Sequence, residues 1–259
     1  RLMTAGQWDL DPLEFDLVWR MFGLDRLPYP LQYHSTDELA SDFRRSRALA
    51  AAEVRTRMDE DLYRAFAVLA DPSAHVAMFG LDSMNAMREK VIRIHAGVRE
   101  GVGAVAVQEP GADGKSGAGI RLTLLDAEDV PRQLVRALPS ARAGVRAPLS
   151  VDAAELGDRV GGSYLTGSHA LTVPQQVSAY VDRPRRATGE VTATPGPAVD
   201  TRPSPRAQGF RWIDFVDDGR YLTRQADRLT VEPASDAVMV TQIERLIESA
   251  VQRNAAGLP

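Results

Sequence analysis

The phrase Arg121-Leu122-Thr123-Leu124 returns 107 residues later as Arg228-Leu229-Thr230-Val231, and each copy runs through an acidic turn into an amphipathic helix. The turn is Asp126 to Asp129 in the first copy and Ser235-Asp236 in the second. The helices that follow carry Val130, Leu134 and Leu138, or Met239, Ile243, Leu246, Ile247 and Ala250, at helical spacing. The parallel extends upstream. Pro72 introduces the strand-like run Ser73 to Phe79, and Pro174 introduces Gln175 to Val181. A basic turn or linker follows each, with Arg88 and Lys90 in one and Arg183, Arg185 and Arg186 in the other. Two more β-rich runs come next, Val91 to Val98 and Val102 to Gln108 in the first half, Gly189 to Thr194 and Phe210 to Val216 in the second. Each half therefore reads β-β-β-β-α, the first over about 1–140 and the second over about 148–259, within a single domain.

Upstream of the first repeat the chain reads as helices. Asp11-Pro12-Leu13-Glu14 has the form of a capping box with proline in the first turn. Leu13, Leu17, Val18, Met21 and Phe22 then form one apolar face, and Gly23 is placed to end the helix. Ser35 with Glu38 predicts a second cap, for a helix carrying Leu39 and Phe43. Val54, Met58, Leu62, Phe66 and Leu69 predict a third helix ending at Asp71-Pro72. Leu27-Pro28-Tyr29-Pro30-Leu31 reads as a stiff apolar connection. A short helix is expected over Val151 to Val160. Irregular chain is expected over Pro110 to Ala118, Pro139 to Pro148 and Pro195 to Arg206, the last of these mobile.

Charge and composition exclude several classes. The net charge of −4 leaves no basic field for nucleic acid or anionic lipid, and the clusters Arg44-Arg45-Arg47 and Arg183-Arg185-Arg186 read as solvated faces. The chain has no cysteine, which removes disulfide and thiolate chemistry and suits a reducing cytoplasm. No apolar run is long enough to span a membrane and no signal-peptide pattern opens the chain, so a cytoplasmic location is expected.

No catalytic signature stands out. Gly114-Lys115-Ser116 lacks the glycine five positions earlier that a phosphate-binding loop needs, and a strand rather than a helix follows it; it reads as a hairpin loop. His34, His75, His95 and His169 have no metal-ligand spacing, and the two on neighbouring strands, His75 and His95, read as solvent-facing. Asp217-Asp218-Gly219 is a tight-turn signal rather than a carboxylate dyad.

Three phrases carry a family resemblance. The segment Leu10 to Leu31 pairs a leucine-rich helix with Gly23-Leu24 and the later Leu27-Pro28-Tyr29-Pro30-Leu31. The run Arg211-Trp212-Ile213-Asp214-Phe215-Val216-Asp217-Asp218-Gly219-Arg220-Tyr221-Leu222 forms the second, and Leu229-Thr230-Val231-Glu232-Pro233-Ala234 before the last helix forms the third. Together they resemble the EspG family. The resemblance implies an α+β fold in which pseudo-twofold halves share a central antiparallel sheet flanked by helices. It also implies a cytoplasmic, non-enzymatic chaperone of type VII secretion, working without cofactor or metal. Such a protein binds the apolar tip of the PPE member of a PE–PPE heterodimer, keeps it soluble and delivers it to the secretion machinery.

Carried onto this chain, the family's contact loop between the second and third strands becomes Asp82, Ser83, Met84, Asn85, Ala86, Met87 and Arg88. Met84 and Met87 would supply adaptable apolar contacts, and Asp82 and Arg88 would pair with the partner's rim. The same segment also reads as a plain hairpin loop with its methionines laid on the sheet. The family's helical insertion between the halves is shortened here, over Pro148 to Thr172. A homodimeric or scaffold protein of the same fold, and an enzyme with a dispersed site, remain open alternatives.

Overall fold

The computed structural model describes residues 6–35, 37–85, 88–114, 116–152, 154, 173–198 and 204–257. The capping box sets the first helix. The Asp11 N–H donates to Glu14 Oε2 at 2.8 Å and the Leu13 N–H to Asp11 Oδ1 at 2.8 Å, and helix α1 runs Pro12–Met21 after strand β1, Gly6–Leu10. Gly23 follows the C-cap with φ of 78°, a conformation that costs glycine nothing.

The next two helices differ from the sequence reading. Helix α2, Ala40–Arg57, starts from Leu39 without a side-chain cap, because the Ser35 hydroxyl is engaged with Asp37 instead. Val54 ends up in α2, and the chain breaks at Met58-Asp59. There Asp59 Oδ1 accepts from the Leu62 N–H at 2.7 Å and caps a separate helix α3, Glu60–Ala70.

Four strands then form a meander: β2 Ala74–Asn85, β3 Arg88–Arg99, β4 Val102–Pro110 and β5 Gly117–Asp126. A short 3-10 turn leads into α4, Val130–Arg136. The second half opens with a short strand β6, Leu149–Asp152, so Val151 and Asp152 are extended rather than the start of a helix; most of the expected helix, residues 155–160, lies outside the described residues. The largest correction concerns Gln175 to Val181, which is helix α5, Val173–Val181, not a strand. Pro174 sits in its first turn, where a missing N–H costs nothing. Tyr180 anchors it, edge-on to Tyr221 at 5.5 Å and donating from its hydroxyl to the Ala147 carbonyl at 2.8 Å. The strand counterpart of β2 is instead β7, Arg185–Pro195, which absorbs part of the supposed basic linker. It is followed by β8 Gln208–Phe215, β9 Arg220–Gln225, β10 Arg228–Pro233 and helix α6, Asp236–Ala255.

Among the described residues ten strands join one sheet in the order β1-β5-β4-β3-β2-β7-β8-β9-β10-β6, and every ladder between them is antiparallel. Outward from the β2–β7 seam, both sides meet the four meander strands in chain order and then the half's own leading strand. The repeated phrases occupy β5 and β10, equivalent places in this order.

Alternation along the strands divides the core between two faces. On one face Met78, Ile94, Val191 and Trp212 pack beneath Leu134 of α4 and Met239 and Ile243 of α6. On the other, Ala104, Ala106, Leu122 and Leu124 are covered by Phe15 and Trp19 of α1 and Phe66 and Leu69 of α3. The same face of the second half holds a smaller cluster of Ile213, Phe215, Tyr221 and Val231, with Tyr180 of α5 laid on it.

Candidate functional site

The connection Leu27 to Leu31 lies flat on the sheet as a strap, with Leu27 and Leu31 buried. Its backbone is tied down by side chains of β3 and β4. Gln108 accepts from the Gln32 N–H at 2.9 Å and donates to the Gln32 carbonyl at 2.6 Å. His95 Nδ1 donates to the Tyr29 carbonyl at 2.9 Å, and His75 Nδ1 to the Gly196 carbonyl at 2.7 Å. The two histidines are buried and stacked, ring centroids 5.5 Å apart, not solvent-facing. Burial and then the neighbouring His75 push His95 down to about 3, and burial also lowers His75. Both are neutral supports for the strap and the turn at Gly196.

Fixed in this way, Tyr29 stands beside Phe79, ring centroids 6.1 Å apart, and its hydroxyl reaches Glu190 Oε1 at 3.5 Å. Burial, reinforced by the Glu190 charge, raises Tyr29 to about 12. Together with Leu81, Thr188 and Arg211 these residues line an open groove of about 360 Å³ on the sheet seam. Thr188, Glu190 and Arg211 also line a neighbouring groove of about 590 Å³ that continues over β8, β9 and β10. Arg211 is 74% exposed, with Glu190 4.0 Å away, so the groove offers an apolar floor with one acid and one exposed base at its side.

The groove opens at the root of the β2–β3 hairpin. Pairing of β2 with β7 ends at Asp82↔Ala187, while the β2–β3 ladder continues through Asp82↔Lys90 to Asn85↔Arg88, with an irregularity between Asp82 and Asn85. Ser83 to Asn85 therefore extend past the β7 edge as an arm. Of the candidate site residues, Asp82, Ser83, Met84 and Asn85 lie on β2 and Arg88 on β3, so the expected loop is strand for most of its length. Ala86 and Met87 lie outside the described residues. The Ser83 hydroxyl spans the arm to Glu89 Oε1 at 3.5 Å. Sequence reasoning named the arm but not Tyr29, Phe79, Glu190 or Arg211 of the groove. The available signal was the proline-braced strap around Tyr29, whose destination in the fold no local pattern specifies.

A second polar cluster holds α5 in place. Asp218 accepts from Arg183 Nη1 at 2.6 Å, from the Tyr221 hydroxyl at 2.6 Å and from the Val145 N–H at 2.8 Å. Burial pushes its carboxyl up, but these three donors outweigh burial and hold it at about 2. The Arg183 guanidinium also lies 3.7 Å over the Phe215 ring. Arg183 is thus a half-buried strut, not part of a solvated face, and the buried Asp218 is its counter-ion. Among the described residues no group of three or more His, Cys, Asp or Glu side chains could hold a metal ion. No helix of the described residues is long and apolar enough to cross a membrane.

Ten antiparallel strands among the described residues, in this order and with helices on both faces, define an α+β protein with an arm and an open groove side by side on its sheet. The family model described as the EspG family matches residues 11–245, and the chain belongs to the EspG family. Among solved structures, the type VII secretion system chaperone EspG5 of Mycobacterium tuberculosis, in complex with the PE25–PPE41 dimer, is similar over 93% of this chain and 95% of its own, with a TM-score of 0.54 and 12% identity. That likeness is one of fold. HtdX of Mycobacterium tuberculosis aligns over 88% of this chain and 98% of its own at 13% identity, but its TM-score of 0.19 carries no argument. Among curated proteins none matches.

Proposed function

We propose that this protein is a cytoplasmic chaperone of type VII secretion that binds a PE–PPE-like heterodimer through the apolar tip of its PPE-type member, keeps it soluble and hands it to the export machinery. Membership of the EspG family over residues 11–245 carries the reading. The fold shared with EspG5, which was solved with the PE25–PPE41 dimer, supports it. Binding is the whole task, without catalysis or cofactor. An exposed apolar tip associates with its own kind, and covering it in a groove of matching chemistry removes that liability.

The contact surface in this reading is the arm, Asp82, Ser83, Met84, Asn85, Ala86, Met87 and Arg88, together with the groove at its root. Tyr29, Phe79 and Leu81 meet the apolar part of the tip, and Arg211 and Glu190 meet its polar rim. The chain acts as one unit, its halves about 1–140 and about 148–259 sharing the sheet. Light scattering of a PE–PPE-like pair tests the activity: added in equimolar amount, the protein holds the pair in solution. Aggregation that proceeds unchanged would contradict it.

A further inference from the structure

One rank of directly paired residues crosses the sheet on the groove face: Gln108 of β4, Arg93 of β3, Phe79 of β2, Glu190 of β7, Arg211 of β8 and Thr223 of β9. Residues paired in this way point to the same side of a sheet. The two ends of the rank are used differently. Gln108 is 2% exposed and Arg93 4%, because the strap lies on them. Gln108 binds both backbone groups of Gln32, and Arg93 Nη2 donates to Gln32 Oε1 at 3.1 Å. Three residues back along the strap, Tyr29 stands beside Phe79 and reaches Glu190. The strap is thus extended chain laid across the strands and held by their side chains.

Beyond Glu190 the same rank is open. Arg211 is exposed and Thr223 half-buried, and both line the groove of about 590 Å³. The Thr223 hydroxyl, and the Gln225 amide two residues further along the same face of β9, make no hydrogen bond among the described residues. Glu190 is held loosely, by the Tyr29 hydroxyl at 3.5 Å and Arg211 at 4.0 Å. This open stretch is a slot with two walls: Tyr29 on the β2 side, and α5, with Tyr180 edge-on to Tyr221 of β9, on the other. At about 4.8 Å per strand the floor from β7 to β9 is about 10 Å wide, the span of about three residues of extended chain. Its chemistry selects the occupant. A helix satisfies its own backbone and presents an apolar stripe. Here Glu190, Arg211, Thr223 and Gln225 stand among Ile213 and Val231, a floor that suits chain whose main-chain N–H and C=O groups are free.

We propose that this slot holds a short extended stretch of the client's tip, laid across β7, β8 and β9 in line with the strap and gripped by its main chain. Thr223 and Gln225 bond its backbone as Gln108 bonds both backbone groups of Gln32, and Glu190 accepts from one of its N–H groups. Arg211 stays at the rim beside it. The inference rests on the chaperone reading and adds to it how the tip is held, by backbone in the slot and by apolar side chains on Phe79 and Leu81. Contacts to main chain are blind to side-chain identity, so the slot supplies affinity that does not depend on the sequence of the segment it holds.

Calorimetric titration of a purified PE–PPE-like pair into the full chain tests this by comparing the parent with Thr223→Val/Gln225→Leu. The double change keeps the shape of the floor and removes its free hydrogen-bonding groups. Binding weakens about tenfold, the scale of two lost hydrogen bonds. A helix presenting an apolar stripe to the slot would reverse the sign, since the same change makes the floor more apolar. Binding as tight as the parent's, or tighter, therefore overturns the proposal. Amide exchange in the client locates the occupant: a few consecutive residues of the PPE-type tip are protected by the parent and lose that protection with the variant, while the rest of the interface is unchanged. A client in which no stretch responds to the variant also overturns it. Circular dichroism and thermal unfolding verify that both substitutions keep the fold. A parent chain that binds no pair removes the chaperone reading and the slot assignment together; a parent that binds, with a variant that matches it, removes the slot assignment alone.

Discussion

Gly80 of β2 and Gly189 of β7 are paired directly across the seam between the two half-sheets, and the Trp212 indole fills the space their missing side chains leave. A Cβ on Gly189 would stand 2.2 Å from Trp212 Cη2 and 2.5 Å from the Phe79 carbonyl oxygen. One on Gly80 would stand 2.7 Å from the Thr188 carbonyl oxygen. Trp212 is fully buried, so the ring has no open direction in which to retreat.

Gly189→Ala therefore destabilises the protein by about 1–3 kcal/mol, the usual cost of overpacking a filled core. Thermal unfolding shows this as a fall in Tm. Trp212→Phe in the same chain recovers part of the loss, because the smaller ring vacates the space the new methyl needs. A Gly189→Ala variant as stable as the parent would show that the seam is looser than this geometry.

The buried pair of Arg220 and Asp214 behaves differently when broken and when replaced. Arg220 Nε and Nη2 reach the two Asp214 oxygens at 2.7 and 2.8 Å, and Nη2 also donates to the Pro139 carbonyl at 2.6 Å. Both residues are 1% exposed. Asp214→Ala leaves the buried guanidinium with only the exposed Asp236 carboxylate, 3.7 Å from Nη1, as counter-charge, and costs about 3 kcal/mol in urea unfolding. Asp214→Leu with Arg220→Met costs less than that single change, since no charge is then stranded.

Some of this architecture was legible in the chain and some was not, for identifiable reasons. Asp11 and Glu14 act on each other three residues apart, so their capping box could be read locally and is present. The repeated phrases marked strands that do hold equivalent places in the sheet. Gln175 to Val181 misled because Val177, Ala179 and Val181 alternate with polar residues as a strand would, while the contact that holds the helix, Tyr180 on Tyr221, joins residues far apart in sequence. The outer strands β1 and β6 have five and four residues, too few to show a period. In the candidate site, Asp82 to Arg88 were named through family likeness as a loop, and most of that segment is strand. The groove was not legible, because Tyr29, Phe79, Glu190 and Arg211 come from the strap and three strands, and only the sheet order brings them together.

The stacked histidines make stability sensitive to acid. His95, held at about 3, and His75, also lowered, stay neutral in the folded protein, whereas in the unfolded chain they protonate near 6.5. Stability from these groups is complete above about pH 6.5 and is lost as pH falls toward the folded values, by about 1.4 kcal/mol per pH unit for each fully titrating histidine. Urea unfolding between pH 7 and pH 4 measures the slope. His95→Gln lowers stability at neutral pH and makes the slope shallower; an unchanged slope would show that His95 does not contribute.

The proposed contact surface makes client binding sensitive to substitutions in the arm and the groove. Met84→Asp with Met87→Asp, and separately Leu81→Asp, weaken binding of a PE–PPE-like pair by about thirtyfold or more, the scale of losing a contact worth ~2 kcal/mol. Titration calorimetry measures the loss, and circular dichroism verifies the fold. Arg211→Glu gives a smaller effect that shrinks further as salt is raised, as expected of a charge at the rim.

The central claim, that this protein is a PE–PPE chaperone, is tested most directly by co-expressing it with the PE–PPE-like pairs of its own organism and sizing the purified material by chromatography with light scattering. The account predicts a stable complex containing one copy each of this protein, a PE-type and a PPE-type chain, with a PPE-type chain that is insoluble on its own. Elution of this protein without any client, from every pair, would contradict it.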